Sequence, residues 1–197
     1  MYSRAYVEIT NVCNLRCSFC HGHKRDAHFM TEAEFSHILD ALEGKIRYLY
    51  YHLMGEPLLH PQLPAFLEMA RARGFTSVIT TNGTLLAKQQ AILLDAPALH
   101  KVNISLHAFE ANDLNIPFEE YLRQCFEFGK AAEGKVLVSY RLWNNGGADN
   151  LNEEIQTTLA QYFPADWVQE RRGIRIGDRV YLEHGDKFDW PDLAAID

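Results

Sequence analysis

The sequence predicts an α/β fold, a partial (βα)6-like TIM barrel, and three observations carry that prediction. Strand-like and helix-like segments alternate from residue 5 to residue 162, the pattern of a parallel sheet with right-handed crossovers. The strand-like segments are polar on one parity and apolar on the other, whereas a doubly wound sheet, covered by helices on both faces, has strands that are apolar throughout. A polar inner face suits a barrel whose lumen holds a ligand instead of packed side chains. Finally, the chain has 197 residues, short of the roughly 250 that eight βα units take, so five or six units make an incomplete barrel.

Each element has its own signal. Residues 5–10 read as the first strand, with Tyr6, Glu8 and Thr10 alternating against Ala5, Val7 and Ile9. A cysteine-bearing loop follows. Thr31 and Glu34 then form a capping box for a helix over 31–42. Residues 47–53 are the second strand, and a helix over 63–73 is ended by Gly74. The third strand is 76–81, with a helix over 85–94 behind it. In the fourth, 102–106, the parity Asn103, Ser105, His107 opposes Val102, Ile104, Leu106. A helix over 118–131 leads to the fifth strand, 136–143, where Ser139 and Arg141 oppose Val138, Tyr140 and Leu142, and a helix follows over 152–162. Residues 174–183 read either as a hairpin turning at Gly177-Asp178 or as one last strand. The expected division is a barrel over 1–165 and a C-terminal strand or hairpin over 166–197.

Composition narrows the function. With 47% hydrophobic and 23% charged residues the chain reads as a soluble globular protein with a real core. No run approaches the roughly 18 apolar residues of a membrane span, and Met1-Tyr2-Ser3-Arg4 leads straight into a strand without a secretory leader, so the expected location is the cytoplasm and no membrane partner is expected. A formal net charge of −7 argues against nucleic acid as a partner. The local exception is 16–25, which carries Arg16, Lys24, Arg25, His21 and His23.

There are four cysteines, and three of them, Cys13, Cys17 and Cys20, fall within eight residues as CxxxCxxC. A disulfide framework would spread them in pairs. Clustered thiols in a reducing compartment point to metal. A [4Fe–4S] cube is normally held by four thiolates, and three leave one iron with an open position, much as catalytic zinc keeps one. A zinc knob completed by His21, His23 or His28 is the competing reading, and unrelated cysteines a third, although the polar flanks do not resemble a core segment. Cys125, inside the helix over 118–131, reads as a small buried apolar group.

The stretch Ile9-Thr10-Asn11-Val12-Cys13-Asn14-Leu15-Arg16-Cys17-Ser18-Phe19-Cys20 resembles the cluster loop of the radical S-adenosylmethionine (SAM) superfamily. Met54-Gly55-Glu56-Pro57 after the second strand resembles that family's Gly-Gly-Glu element, with Met54 replacing the first glycine, and Thr81-Asn82-Gly83 closes the third strand as in many relatives. The resemblance implies a [4Fe–4S] cluster on Cys13, Cys17 and Cys20, and SAM bound to its open iron. It places Phe19 against the adenine. Glu56 would accept charge-assisted hydrogen bonds from the SAM ammonium, and Gly55 would let backbone approach the ligand. Arg141 fits either a fork onto the SAM carboxylate or an ion pair with an internal acid such as Glu8. Ser105 fits a bond to ribose or carboxylate, or a plain lumen hydroxyl. Asn82 fits a ligand contact or a turn held by its own side chain. His107 and His52 fit substrate-facing positions or satisfied lumen histidines. Arg16 and Lys24 would ease reduction of an anionic cluster.

The implied reaction is one-electron reductive cleavage of SAM to methionine and a 5′-deoxyadenosyl radical, which takes a hydrogen atom from substrate. It implies an oxidoreductase served by a one-electron donor such as flavodoxin or ferredoxin. Residues 181–193, ending in Phe188-Asp189-Trp190-Pro191-Asp192-Leu193, resemble the bridge that precedes a SPASM-type auxiliary-cluster domain, whose cysteines this chain does not include. That resemblance implies a peptide or protein side chain as substrate, with a small molecule as the other option. The alternatives are an activase of a glycyl-radical enzyme and a non-catalytic iron–sulfur or zinc-binding module.

Overall fold

The computed structural model describes residues 3–187. The chain begins with β1 (Arg4–Tyr6) and α1 (Glu32–Leu42), then β2 (Tyr48–Tyr51), a single 3-10 turn (Pro57–Leu59) and α2 (Leu63–Ala72). It continues through β3 (Thr76–Thr81), α3 (Leu86–Asp95), β4 (Leu99–Ser105), a second 3-10 turn (Leu106–Ala108) and α4 (Phe118–Ala132). Next are β5 (Leu137–Asn145), α5 (Asn152–Tyr162), β6 (Val168–Glu170), β7 (Gly173–Gly177) and β8 (Val180–Asp186). The strands form one eight-stranded sheet in the order β1-β2-β3-β4-β5-β8-β7-β6. From β1 to β8 every neighbouring pair is parallel, while β7 and β6 add on antiparallel. The fold is an α/β partial barrel.

The alternating parities of the sequence become the two faces of this sheet. Paired residues of neighbouring strands point to the same side. Tyr6 stands beside Tyr50, Asn103 beside Ser139, Ser105 beside Arg141 and Arg141 beside Glu183, which makes a polar inner face. The opposite parity meets the helices: Val138, Tyr140 and Leu142 are fully buried, and the Tyr140 hydroxyl donates to the Cys125 carbonyl of α4 at 3.0 Å.

The helices follow local rules. In α1, Phe35, Ile38, Leu39 and Leu42 recur at helical spacing, and Phe35 stacks on Phe66 of α2 with centroids 4.3 Å apart and planes 11° from parallel. Burying one such ring is worth about 1.5–3 kcal/mol. The capping box is complete: Thr31 Oγ1 accepts from the Glu34 N–H, while Glu34 Oε2 accepts from the Thr31 N–H at 2.7 Å. Gly74, at φ +76°, lies just past the end of α2.

Several elements depart from the sequence reading, β2 and β5 by one or two residues at their ends. β1 is shorter than 5–10: Val7 N still bonds Tyr50 O, but Thr10 then forms an antiparallel bridge with Phe29 and the chain leaves the sheet to build the cysteine loop. β4 starts at Leu99, earlier than residue 102. The two readings of 174–183 merge, because β7 and β8 form a hairpin while β8 also pairs parallel to β5 as the sixth parallel strand. The segment Phe188-Asp189-Trp190-Pro191-Asp192-Leu193 lies outside the described residues.

Candidate metal centre and its rim

The cysteine loop leaves and rejoins the barrel at one neck. Thr10 bridges Phe29, and the Met30 N–H donates to Ile9 O at 2.8 Å. Buried Asn11 ties the loop from within: its Nδ2 donates to Asp26 O at 2.7 Å, its Oδ1 accepts from the His28 N–H at 2.8 Å, and its carbonyl lies 2.8 Å from His23 Nε2. Arg25 closes on Glu8 of the barrel wall at 2.7 Å.

Within this loop Cys13, Cys17 and Cys20 are all free thiols; Cys13 and Cys20 are exposed and Cys17 is half-buried. They share one electrostatic neighbourhood. Burial raises the Cys13 and Cys17 pKa values, and charge on the other cysteines raises them further, whereas N–H donors to the sulfurs oppose the shift. Asn112 Nδ2 donates to Cys17 Sγ at 3.1 Å, and the Leu15 N–H donates to Cys13 Sγ at 3.5 Å. Free thiols on one loop, two of them accepting amide hydrogens, fit a cluster that needs thiolates. Zinc fits poorly. Among the described residues no three His, Cys, Asp or Glu side chains close around a single-ion position; His23 is held by Asn11 and His28 lies 3.3 Å from Glu34.

The elements after β2 and β3 brace this loop. The Glu56 N–H donates to Val12 O at 2.9 Å, and an added Cβ at Gly55 would stand 2.1 Å from Thr10 O. The glycine is therefore required by the chain's own backbone, a reason the sequence reading, which looked to the ligand, did not give. Glu56 is only 2% exposed; its Oε1 accepts from the Leu58 N–H at 3.0 Å and its Oε2 from the Asn82 N–H at 2.8 Å. Burial pushes its pKa up to about 7 against those hydrogen bonds. Asn82 holds the turn with its own side chain, one of the two roles the sequence offered, and also reaches the cysteine loop. Its Oδ1 accepts from Thr84 N at 3.0 Å to hold the turn, while Nδ2 donates to Asn14 Oδ1 at 3.0 Å and reaches Cys13 Sγ at 3.9 Å.

Of the remaining predicted residues, Ser105 ends β4, His107 lies in the turn after it, Arg141 is within β5 and His52 follows β2. Phe19 packs its ring 5.0 Å from that of His107, which is buried with Nδ1 3.0 Å from Arg141 O. Ser105 stands in register beside Arg141. Arg141 does pair with an internal acid, but with Glu183 of β8 (3.3 Å) instead of Glu8, which Arg25 takes. Its guanidinium also lies 4.1 Å from the centroid of the Trp143 ring. His52 packs edge-on against both the Tyr6 and Tyr50 rings, and burial, then the charge of Arg141, pushes its pKa down to about 4. Cys125 is fully buried between α4 and Gly83.

Sequence reasoning missed Asn112, Glu110 and Glu183. Asn112 accepts from the Arg16 N–H at 2.9 Å besides bonding Cys17, and Glu110 accepts from Asn150 and Leu151 N–H groups, so one segment after β4 joins the cysteine loop to the loop after β5. These contacts span 40 to 96 residues of sequence and leave no local pattern. Two cavities open on the rim. One of about 250 Å³ is lined by Phe19, His107, Trp143 and Gly147 among others, and one of about 610 Å³ lies between Arg16 and Asn112.

Comparison with known proteins matches residues 7–130 to the radical SAM superfamily. A GTP 3′,8-cyclase from Chlorobaculum tepidum is 40% identical over 114 residues, which is 53% of this chain and 32% of that protein. Thus the matched stretch spans about a third of its relative. Among solved structures, anSMEcpe with bound AdoMet and the Cp18Cys peptide superposes with a TM-score of 0.59 at 17% identity, covering 95% of this chain and 51% of the other. SuiB from Streptococcus suis bound to its precursor peptide SuiA gives 0.58 at 16% identity, covering 80% and 36%. Both likenesses concern the fold. Among the described residues no helix is long and apolar enough to cross a membrane.

Proposed function

The chain belongs to the radical SAM superfamily, and from that membership we propose that it cleaves SAM reductively and directs the resulting radical to a peptide or protein side chain. The observation that carries the reading is the common placement of Cys13, Cys17 and Cys20 as free thiols on one pinned loop, with Asn112 donating to Cys17 and the Leu15 N–H to Cys13. Bound there, the [4Fe–4S] cluster and SAM supply the electron transfer that breaks the carbon–sulfur bond to give methionine and a 5′-deoxyadenosyl radical.

The chain's own residues hold and orient these groups. Cys13, Cys17 and Cys20 would hold the cluster through their thiolates. Glu56 keeps two backbone N–H bonds and retains lone pairs for the SAM ammonium, since each carboxylate oxygen accepts more than once. Gly55 sets the backbone of the same turn against the cysteine loop. Arg141 would offer the N–H groups not used by Glu183 to the SAM carboxylate, with Ser105 beside it. Phe19 and His107 form an aromatic wall for the adenine, and Asn82 fixes the turn that touches Cys13. Residues 1–165 then make the catalytic barrel, with 166–197 as its C-terminal strands and bridge. A peptide substrate is supported by the two peptide-bound fold neighbours, SuiB and anSMEcpe. A one-electron donor such as flavodoxin or ferredoxin completes the set of partners.

The test is anaerobic reconstitution with iron and sulfide, then dithionite and SAM, with chromatographic assay for 5′-deoxyadenosine. The reading predicts its formation in the native chain and its loss in Cys17→Ala. A reconstituted, iron-loaded protein that leaves SAM intact contradicts it.

A further inference from the structure

A second charge feature lies on the sheet beyond the cysteine loop. The whole sequence carries 26 acidic residues against 19 Lys and Arg. On the inner face at β5, β8 and the β6–β7 hairpin the balance reverses. Glu183 takes Lys101 at 3.0 Å and Arg141 at 3.3 Å, and Glu170 takes Arg175 at 2.7 Å. Arg171 and Arg172, at the tip of the same hairpin, make no ion pair among the described residues. Five cations therefore face two carboxylates. Burial lowers the Lys101 pKa, and the charges of Arg141 and Arg172 lower it further against the pull of Glu183, so these groups occupy one electrostatic space.

A cavity of about 540 Å³ opens there, lined by Arg171, Arg172 and Trp143 and by Glu170 and Glu183, whose charges are already met by Arg175 and by Lys101 and Arg141 outside the wall. Trp143 is also a wall of the smaller cavity beside Phe19 and Ser18, so the cationic cavity adjoins the cysteine loop across one indole. The position of that indole is built in. An added Cβ at Gly185 would meet Trp143 Cδ1 at 2.9 Å, and Arg141 stacks on the ring at 4.1 Å.

We infer that this cavity is the substrate-anchoring subsite and that the group it takes is a carboxylate of an acidic peptide. The inference rests on the radical SAM reading above and adds the substrate's chemical class. Surplus guanidiniums recognise carboxylates by forked, charge-assisted hydrogen bonds. Two observations favour a peptide over a nucleotide. The lining residues come from strands and a tight turn, with no helix N-terminus and none of the backbone-amide cradles that hold phosphates. In addition, β6 ends the sheet order, and its outer edge pairs with no other described strand, so an extended chain can add alongside it with its acidic side chain over the arginines.

The experiment uses the reconstituted full chain and a fluorescently labelled octapeptide of alternating glycine and glutamate, blocked at both ends. Its glutamine isostere and GTP serve as comparison probes, and binding is read by anisotropy at low ionic strength. The glutamate peptide is expected to bind at least about tenfold tighter than the glutamine peptide, the size of one charge-assisted hydrogen bond. Arg171→Gln with Arg172→Gln abolishes that preference, and the Lys pair at the same positions restores part of it, which separates lost charge from lost folding. Equal affinity for the two peptides overturns the inference, as does a preference that survives the Gln pair. GTP binding tighter than the glutamate peptide overturns the peptide assignment. The effect of SAM on the reduced cluster of the native chain, measured without peptide, reports on the parent reading separately.

Discussion

An amide hydrogen directed at a thiolate stabilises negative charge on the sulfur, and Asn112 directs one at Cys17 across 95 residues of sequence. A cluster bound there gains one electron on reduction, so this bond favours the reduced state and raises the potential. Asn112→Ala should shift the midpoint to more negative values in a redox titration followed by electron paramagnetic resonance, with iron content retained; an unmoved potential contradicts the role. His52 makes a second prediction. Its folded pKa, about 4, lies below the ordinary histidine value of 6.5, because burial and then Arg141 disfavour the charged ring. Between those values the native state binds fewer protons than the unfolded chain. The stability His52 contributes is therefore complete above pH 6.5 and is lost as pH falls toward 4. In urea denaturation at a series of pH values, His52→Gln should show a shallower loss of stability across that window. Of these residues the sequence singled out His52 by strand parity, whereas Asn112 sits in a loop without periodicity and becomes meaningful only when the chain folds back on the cysteines.

At the scale of elements, two glycines hold close contacts that fix the rim and the helix layer. The Gly55 turn lies against Thr10, with room for hydrogen only. Gly55→Ala must displace either the turn or the neck of the cysteine loop, and overpacking of this kind destabilises by about 1–3 kcal/mol. Thermal denaturation should show that loss together with reduced iron uptake. Gly129 in α4 faces Tyr140 of β5, whose hydroxyl would stand 1.9 Å from an added Cβ. Gly129→Ala should cost a similar amount alone and clearly less in a Tyr140→Phe background, since removing the hydroxyl relieves the clash and alanine favours the helix. Equal penalties in both backgrounds contradict the packing account. The helices were legible because amphipathic spacing and capping boxes are local; α1 begins within a residue of its expected start. β6 was not legible. Val168-Gln169-Glu170 is too short to show a period, and it exists as a strand because β7 offers it an edge. The early end of β1 is likewise a tertiary effect, set by the Thr10–Phe29 bridge.

For the molecule as a whole, the polar parity of β1, β4 and β5 pointed to a lumen before any contact was known, and the parallel register delivers it as one polar face. The charge of that lumen was hidden. A net charge of −7 summed over the chain conceals a cationic region assembled from β4, β5 and a hairpin that are distant in sequence. The cysteines were legible because a cube demands closely spaced thiolates, and that spacing survives in the primary structure. The central claim is that three thiolates leave one iron open to SAM. Its most direct test is electron paramagnetic resonance of the reduced, reconstituted protein with and without SAM. The account predicts a [4Fe–4S] signal whose g values change when SAM is added, and no such cluster in Cys13→Ala, Cys17→Ala or Cys20→Ala. A cluster signal that SAM leaves unchanged, or one that persists without any of these cysteines, contradicts it.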